Sequence, residues 1–96
     1  MKLFLRLTTD VNERLRTLLR YRGDLSRFVE EALTALDLTS IDLLHAPCRN
    51  ARGTTAMVRE QTAVHLETVA KNRGCSTNRL ANSALHAWLL WKERRV

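Results

Sequence analysis

Residues 2–7, "KLFLRL", place Leu3, Leu5 and Leu7 on one side of an extended chain and Lys2, Phe4 and Arg6 on the other. That alternation has the period of a strand with one apolar face. Most of the remaining chain reads as helix. A lone strand of this length cannot satisfy its own backbone, and even a two-stranded ribbon is marginal unless something packs on it. The chain must therefore supply a second strand and a layer for the ribbon to lie on.

An internal repeat supplies both. After the strand, "TTDVNERLRTLLRYRG" spaces Val11, Leu15, Leu18 and Leu19 as one face of an amphipathic helix. Thr9 or Asp10 is placed to cap it, and Gly23 to end it. "DLSRFVEEALTALDL" follows, with Asp24 as the expected N-cap and Leu25, Phe28, Val29, Ala32, Leu33 and Leu36 as a second apolar stripe. At an offset of 51 residues, Leu66, Val69 and Ala70 stand opposite Leu15, Leu18 and Leu19, and Arg73-Gly74 opposite Arg22-Gly23. One inserted residue then makes the offset 52. Ser76 replaces Asp24, Arg79 replaces Arg27, Leu80 replaces Phe28, and Ala84-Leu85 replace Ala32-Leu33. The partner expected for the first strand is thus the stretch 53–59 of the same chain. If the copies are related by a pseudo-two-fold, the strands are antiparallel, Phe4 faces Thr55 and Lys2 faces Met57. Leu3, Leu5, Leu7, Thr54, Ala56 and Val58 then point onto four helices. The organisation expected is a first copy at 1–38, a linker at 39–52 and a second copy at 53–96, forming one globular domain. The linker contains Pro47 and reads as a short helix or turn followed by a basic loop.

The length of 96 residues allows one small domain and disfavours a large enclosed active site. No apolar run approaches the ~18 residues of a membrane span. The N-terminus lacks the pattern of an export signal, so a cytoplasmic protein is expected. The net charge of +6 is unevenly spread. Residues 1–48 balance seven basic against seven acidic side chains, while residues 49–96 hold nine basic against three acidic. Such an excess favours polyanions. Cys48 and Cys75 read as reduced thiols. His45-x-x-Cys48 lacks the second ligand pair of a metal site. No glycine-rich phosphate loop, carboxylate pair or nucleophile constellation is present, so neither catalysis nor a cofactor is expected.

The succession of strand, helix, glycine, cap residue and second helix resembles, twice over, the ribbon-helix-helix repressors of the MetJ/Arc type. "RGDLSRFVEEAL" carries the resemblance most clearly, and "RGCSTNRLANSAL" is a looser version. Most members are homodimers of one copy each; this chain is similar in plan to the tandem TraY-type accessory proteins of plasmid conjugation. The fold implied is mainly α: an intramolecular pseudo-dimer in which a two-stranded antiparallel ribbon packs on four helices, folded as a monomer. The partner implied is double-stranded DNA, with the ribbon in the major groove. The reading positions carried over are Lys2, Phe4 and Arg6 in the first copy, and Gly53, Thr55 and Met57 in the second. Arg6 can take guanine O6 and N7, and Met57 a thymine methyl. The second copy departs from the pattern, because Gly53 has no side chain, and the reader implied is asymmetric. Arg52 and Arg59 are expected to grip phosphate instead. The family's second helices also hold phosphate at their N-termini. The matching residues are Leu25, Ser26 and Arg27, and Thr77, Asn78 and Arg79, with Ser76 beside them as cap and phosphate contact.

Plainer roles stand beside these. Lys2 and Arg6 also suit a solvated strand that must not aggregate. Phe4 also suits a core position in another register. Arg14, Arg16, Arg20 and Arg22 read as a solvated face paired with Asp10 and Glu13. Trp88 fits the helical core stripe; Trp91 sits at a rim, against DNA or against another molecule. The function expected is sequence-specific binding of double-stranded DNA by a nucleoid-associated repressor or plasmid transfer or maintenance factor, with self-association on DNA left open. The alternative is an antitoxin-like module that binds a protein partner.

Overall fold

The structure, a computed structural model, describes residues 1–44 and 52–94, with the Arg52 side chain excepted. Among these residues the order is β1 (Lys2–Leu7), α1 (Thr9–Leu18), α2 (Asp24–Ala35), β2 (Arg52–Met57), α3 (Glu60–Arg73) and α4 (Thr77–Arg94). It is a mainly helical fold carrying one two-stranded antiparallel sheet. Phe4 lies opposite Thr55 and Lys2 opposite Met57, the register the repeat predicts.

Period-2 burial follows from this pairing. Leu5, Leu7, Ala56 and Val58 are buried beneath the ribbon, Leu3 and Thr54 are half-buried, and Phe4, Arg6, Thr55 and Met57 are exposed above it. The helices weave the two halves of the chain together: α2 packs on β2 and α3, while α4 packs on β1 and α1, and α2 meets α4. Their inward stripes (Val11, Leu15, Val29, Leu33, Leu66, Leu80, Leu85 and Trp88 among them) form one continuous core with the ribbon leucines. No helix of the described residues is long and apolar enough to cross a membrane.

The joints differ between the two halves, and three expectations are corrected here. Thr8, not Thr9 or Asp10, caps α1: its Oγ1 accepts the Val11 N–H at 3.3 Å. Nor does α1 run to Gly23; it stops at Leu18, with Leu19 already extended. Leu18 is consequently exposed and Leu19 only half-buried. Third, Asp24 is the first residue of α2 rather than its cap, and Gly23 holds the cap position at φ 91°. One side chain accounts for the last two differences. The Asp24 carboxylate accepts the N–H groups of both Arg20 and Tyr21 at 2.8 Å, which takes those amides out of helical bonding. Ser76, its counterpart, is too short to reach back and instead accepts the Arg79 N–H at 3.0 Å as a helix cap. The first helix of that half therefore continues to Arg73. It closes through Gly74 at φ 69°, with the Cys75 N–H on the Ala70 carbonyl and the Gly74 N–H on the Lys71 carbonyl. This is a Schellman end, whose left-handed residue glycine adopts at no steric cost.

After α2 the chain turns at Asp37, whose carboxylate accepts from Thr39 and Ser40. Leu38 is buried, and Arg73 donates from Nη1 to the carbonyls of Leu38 and Ile41. The turn agrees with the expected connection. Its basic part, with His45, Pro47, Cys48 and Arg49, lies outside the described residues.

Candidate nucleic-acid interface

The outward face of the ribbon presents Lys2 and Met57 at one end, Phe4 and Thr55 in the middle, and Arg6 and Gly53 at the other end. The side chains of Lys2 and Arg6 are exposed and make no hydrogen bond or ion pair within the described residues. With no partner among the described residues, these two solvated cations are available to acceptors on another molecule. Gly53 proves to have a packing role. A Cβ built there would lie 2.8 Å from Cζ of Phe4, so the ring of Phe4 occupies the space a side chain at 53 would fill. Phe4 nevertheless remains 64% exposed and Met57 53%.

A two-stranded ribbon has two free edges whose unpaired backbone groups need partners. Each is served by the N-terminal half of a second helix. On the β2 side, the Ser26 hydroxyl accepts the Met57 N–H at 2.8 Å. Glu30 takes the Arg59 N–H at 2.8 Å through Oε1 and the Thr62 hydroxyl at 2.6 Å through Oε2. On the β1 side, Asn78 Oδ1 accepts the Arg6 N–H at 2.7 Å, and its Nδ2 donates to the Arg6 carbonyl at 3.1 Å. Asn82 Oδ1 accepts the Thr8 N–H at 2.9 Å, and Nδ2 donates to the Arg6 and Asn78 carbonyls. The acceptors Ser26 and Asn78, like Glu30 and Asn82, are 52 residues apart; the amides they hold, Arg6 and Met57, and Thr8 and Arg59, are 51 apart. The offsets are those of the sequence repeat. Ser26 and Asn78, carried over as phosphate contacts, thus hold ribbon edges with their side chains. Glu30 and Asn82 were not singled out in the sequence. Asn82 and Ser83 interrupt an apolar stripe, and a polar residue buried in such a stripe signals a fixed hydrogen-bond partner.

The first turns of α2 and α4 carry a positive dipole end, although the Asp24 and Arg27 N–H groups are held by the Tyr21 and Gly23 carbonyls and the Arg79 N–H by the Ser76 hydroxyl. Leu25 and Thr77 sit there half-buried, one beside Ser26 and the other beside Asn78. Arg27 is exposed, ion-paired to Asp24 at 3.0 Å and lying 5.1 Å from the Phe28 ring. Its counterpart Arg79 is differently occupied. Arg79 is half-buried, and its Nε donates to the Leu44 carbonyl at 2.8 Å. The Ser83 hydroxyl accepts the Leu44 N–H at 2.9 Å beside it, so the pair anchors the chain after α2. Arg59 is exposed, with its guanidinium 3.2 Å from Glu30. Burial pushes the Glu30 carboxyl up, but hydrogen bonds from the Thr62 hydroxyl and from the Arg59 amide and guanidinium outweigh this and hold it below its usual range. Glu30 is therefore an anion at neutral pH, placed at the N-terminus of α3, where the helix dipole favours it. The Arg52 side chain lies outside the described residues.

Away from the ribbon, a groove of about 310 Å³ is lined by Leu18, Phe28, Trp88, Arg14 and Lys92. Its cations face acidic partners, Arg14 bonding Glu93 and Asp10, and Lys92 lying 3.8 Å from Glu31. Among the described residues no comparable pairing neutralises Lys2 or Arg6. No protein-family model, curated protein or solved structure matches this chain.

Proposed function

We propose that the chain is a sequence-specific double-stranded DNA-binding protein, a ribbon-helix-helix pseudo-dimer within one polypeptide, acting as a transcriptional repressor or as an accessory factor in plasmid transfer or maintenance. The observation that carries this reading is the ribbon's outward face, with Lys2 and Arg6, which have no partner among the described residues, raised on a strand pair whose edges are held by helices. A paired ribbon of this width is the element with which β-ribbon readers enter the major groove. The repetition of the edge bonds at offsets of 51 and 52 supports a two-fold relation between the copies. The N-terminal ends of α2 and α4, at Leu25 and Ser26 and at Thr77 and Asn78, with Arg27 and Arg59, would meet phosphates on either side. Titration against random duplexes followed by selection of a preferred site tests the proposal. Tight, salt-dependent binding with a recoverable site is expected. Arg6→Ala should remove the preference at one base pair. Equal affinity of parent and variant for every duplex would reject the ribbon as the reader.

A second reading rests on the groove, where Leu18 is exposed and Lys92 lies over the Trp88 ring; the same ammonium also lies 5.3 Å from the ring of Trp91, which is exposed outside the groove. In that reading the chain is an antitoxin-like module whose protein partner covers the groove. A stoichiometric protein complex, with no DNA affinity at ~100 mM salt, would favour that reading.

A further inference from the structure

We infer that Phe4, seated over Gly53, reads a thymine methyl group at the centre of the DNA site. This rests on the DNA-binding function proposed above and names the base that its ribbon selects. Phe4 pairs with Thr55, midway between the Lys2 and Arg6 ends, and Gly53 is its diagonal neighbour on the same face. The ring tip lies where a side chain at 53 would stand, with Cζ and Cε2 at 2.8 and 3.2 Å from the built Cβ. An aromatic ring laid over a cross-strand glycine shields the backbone and gains a fixed seat. Shielding alone does not account for the rest of the ring, since Phe4 stays 64% exposed.

Along the face between the two cations, Phe4 and Met57 are apolar and Thr55 offers one hydroxyl. Of the groups that base pairs display in the major groove, the thymine C5-methyl is the apolar one. A ring pressed instead on guanine O6 or adenine N6 would desolvate a polar edge without replacing its hydrogen bond. The middle of the ribbon therefore selects thymine both by burying a methyl and by penalising the alternatives, while Arg6 selects guanine at its end. Because Gly53 stands opposite Arg6 and Met57 opposite Lys2, the two ends of the site differ, and the protein binds it in one orientation.

Replacement of single thymines by deoxyuridine in the selected duplex removes only the methyl. For the parent protein, at least one central replacement should weaken binding about fourfold, the value of one buried methyl-sized group. In Phe4→Ala that penalty should vanish, and in Arg6→Ala it should persist. The inference is overturned if every thymine tolerates replacement, or if the penalty survives in Phe4→Ala. Recovery of no preferred site by the parent would reject the DNA-reading function itself, and the inference with it.

Discussion

Asn78 grips the peptide of Arg6 from both sides, accepting its N–H at 2.7 Å and donating to its carbonyl at 3.1 Å. The residue whose side chain is aimed outward is thus fixed by its backbone to the start of α4, 72 residues away in the chain. Ser26 holds Met57 from α2 by a single bond, accepting its N–H at 2.8 Å. Arg6 at one ribbon end and Met57 at the other therefore stand on edges that a helix has already ordered, which lowers the entropy to be lost on binding.

Asn82 is the most deeply buried of these clamps. It is 1% exposed and bonds Thr8, Arg6 and Asn78. Asn82→Ala strands the buried Thr8 N–H and leaves the Arg6 carbonyl to Asn78 alone, and should cost about 1–3 kcal/mol in urea unfolding. Asn78→Ala, at a wetter position, should cost less. Equal, near-zero effects would show that the β1 edge does not depend on these bonds.

Gly23 and Gly74 sit at φ 91° and 69°, with open space where a Cβ would go. Alanine at either position meets no neighbour, so the whole penalty is the left-handed backbone, about 1–2 kcal/mol. Thermal or chemical unfolding of Gly23→Ala and Gly74→Ala should register that loss without a change in the slope with denaturant.

Acid should unfold the protein through three carboxylates. The N–H groups of Arg20 and Tyr21 hold Asp24 below its usual range, and the Thr39 hydroxyl and amide with the Ser40 hydroxyl do the same for Asp37. Glu30 is held low against its burial by Thr62 and Arg59. Folded values below unfolded ones mean that the unfolded chain binds more protons in acid. The stabilisation is complete above the ordinary values of 3.8 and 4.5 and is lost as pH falls through the lower folded values. Urea midpoints should be level near neutrality and decline in that acid range. Glu30→Gln should lower the plateau and flatten part of the decline.

The cations separate by role in DNA titrations. Arg6→Ala should cost about 1–3 kcal/mol at one base pair. Arg27→Ala should weaken all duplexes alike and reduce the salt slope by about one. Arg79→Ala should also lower the unfolding midpoint, since Arg79 ties down the Leu44 carbonyl.

The strand period of Leu3, Leu5 and Leu7, the helical stripes, the glycine at each joint and the Phe4–Thr55 register were all legible in the amino-acid order. These properties are local: a side-chain period of two or 3.6 and a positive φ belong to a segment and its neighbours. Duplication turned them into a pairing register, because equal spacing in two copies leaves one antiparallel match. Tertiary structure alone decided what the polar residues do. Asp24 shortened α1, Ser26 and Asn78 took the ribbon edges, Arg79 turned to Leu44, and Phe4 settled on Gly53. A polar group or an exposed ring is satisfied by whichever partner the fold brings within about 3–4 Å. For Arg6 and Asn78 that partner is 72 residues distant, beyond the reach of any local pattern.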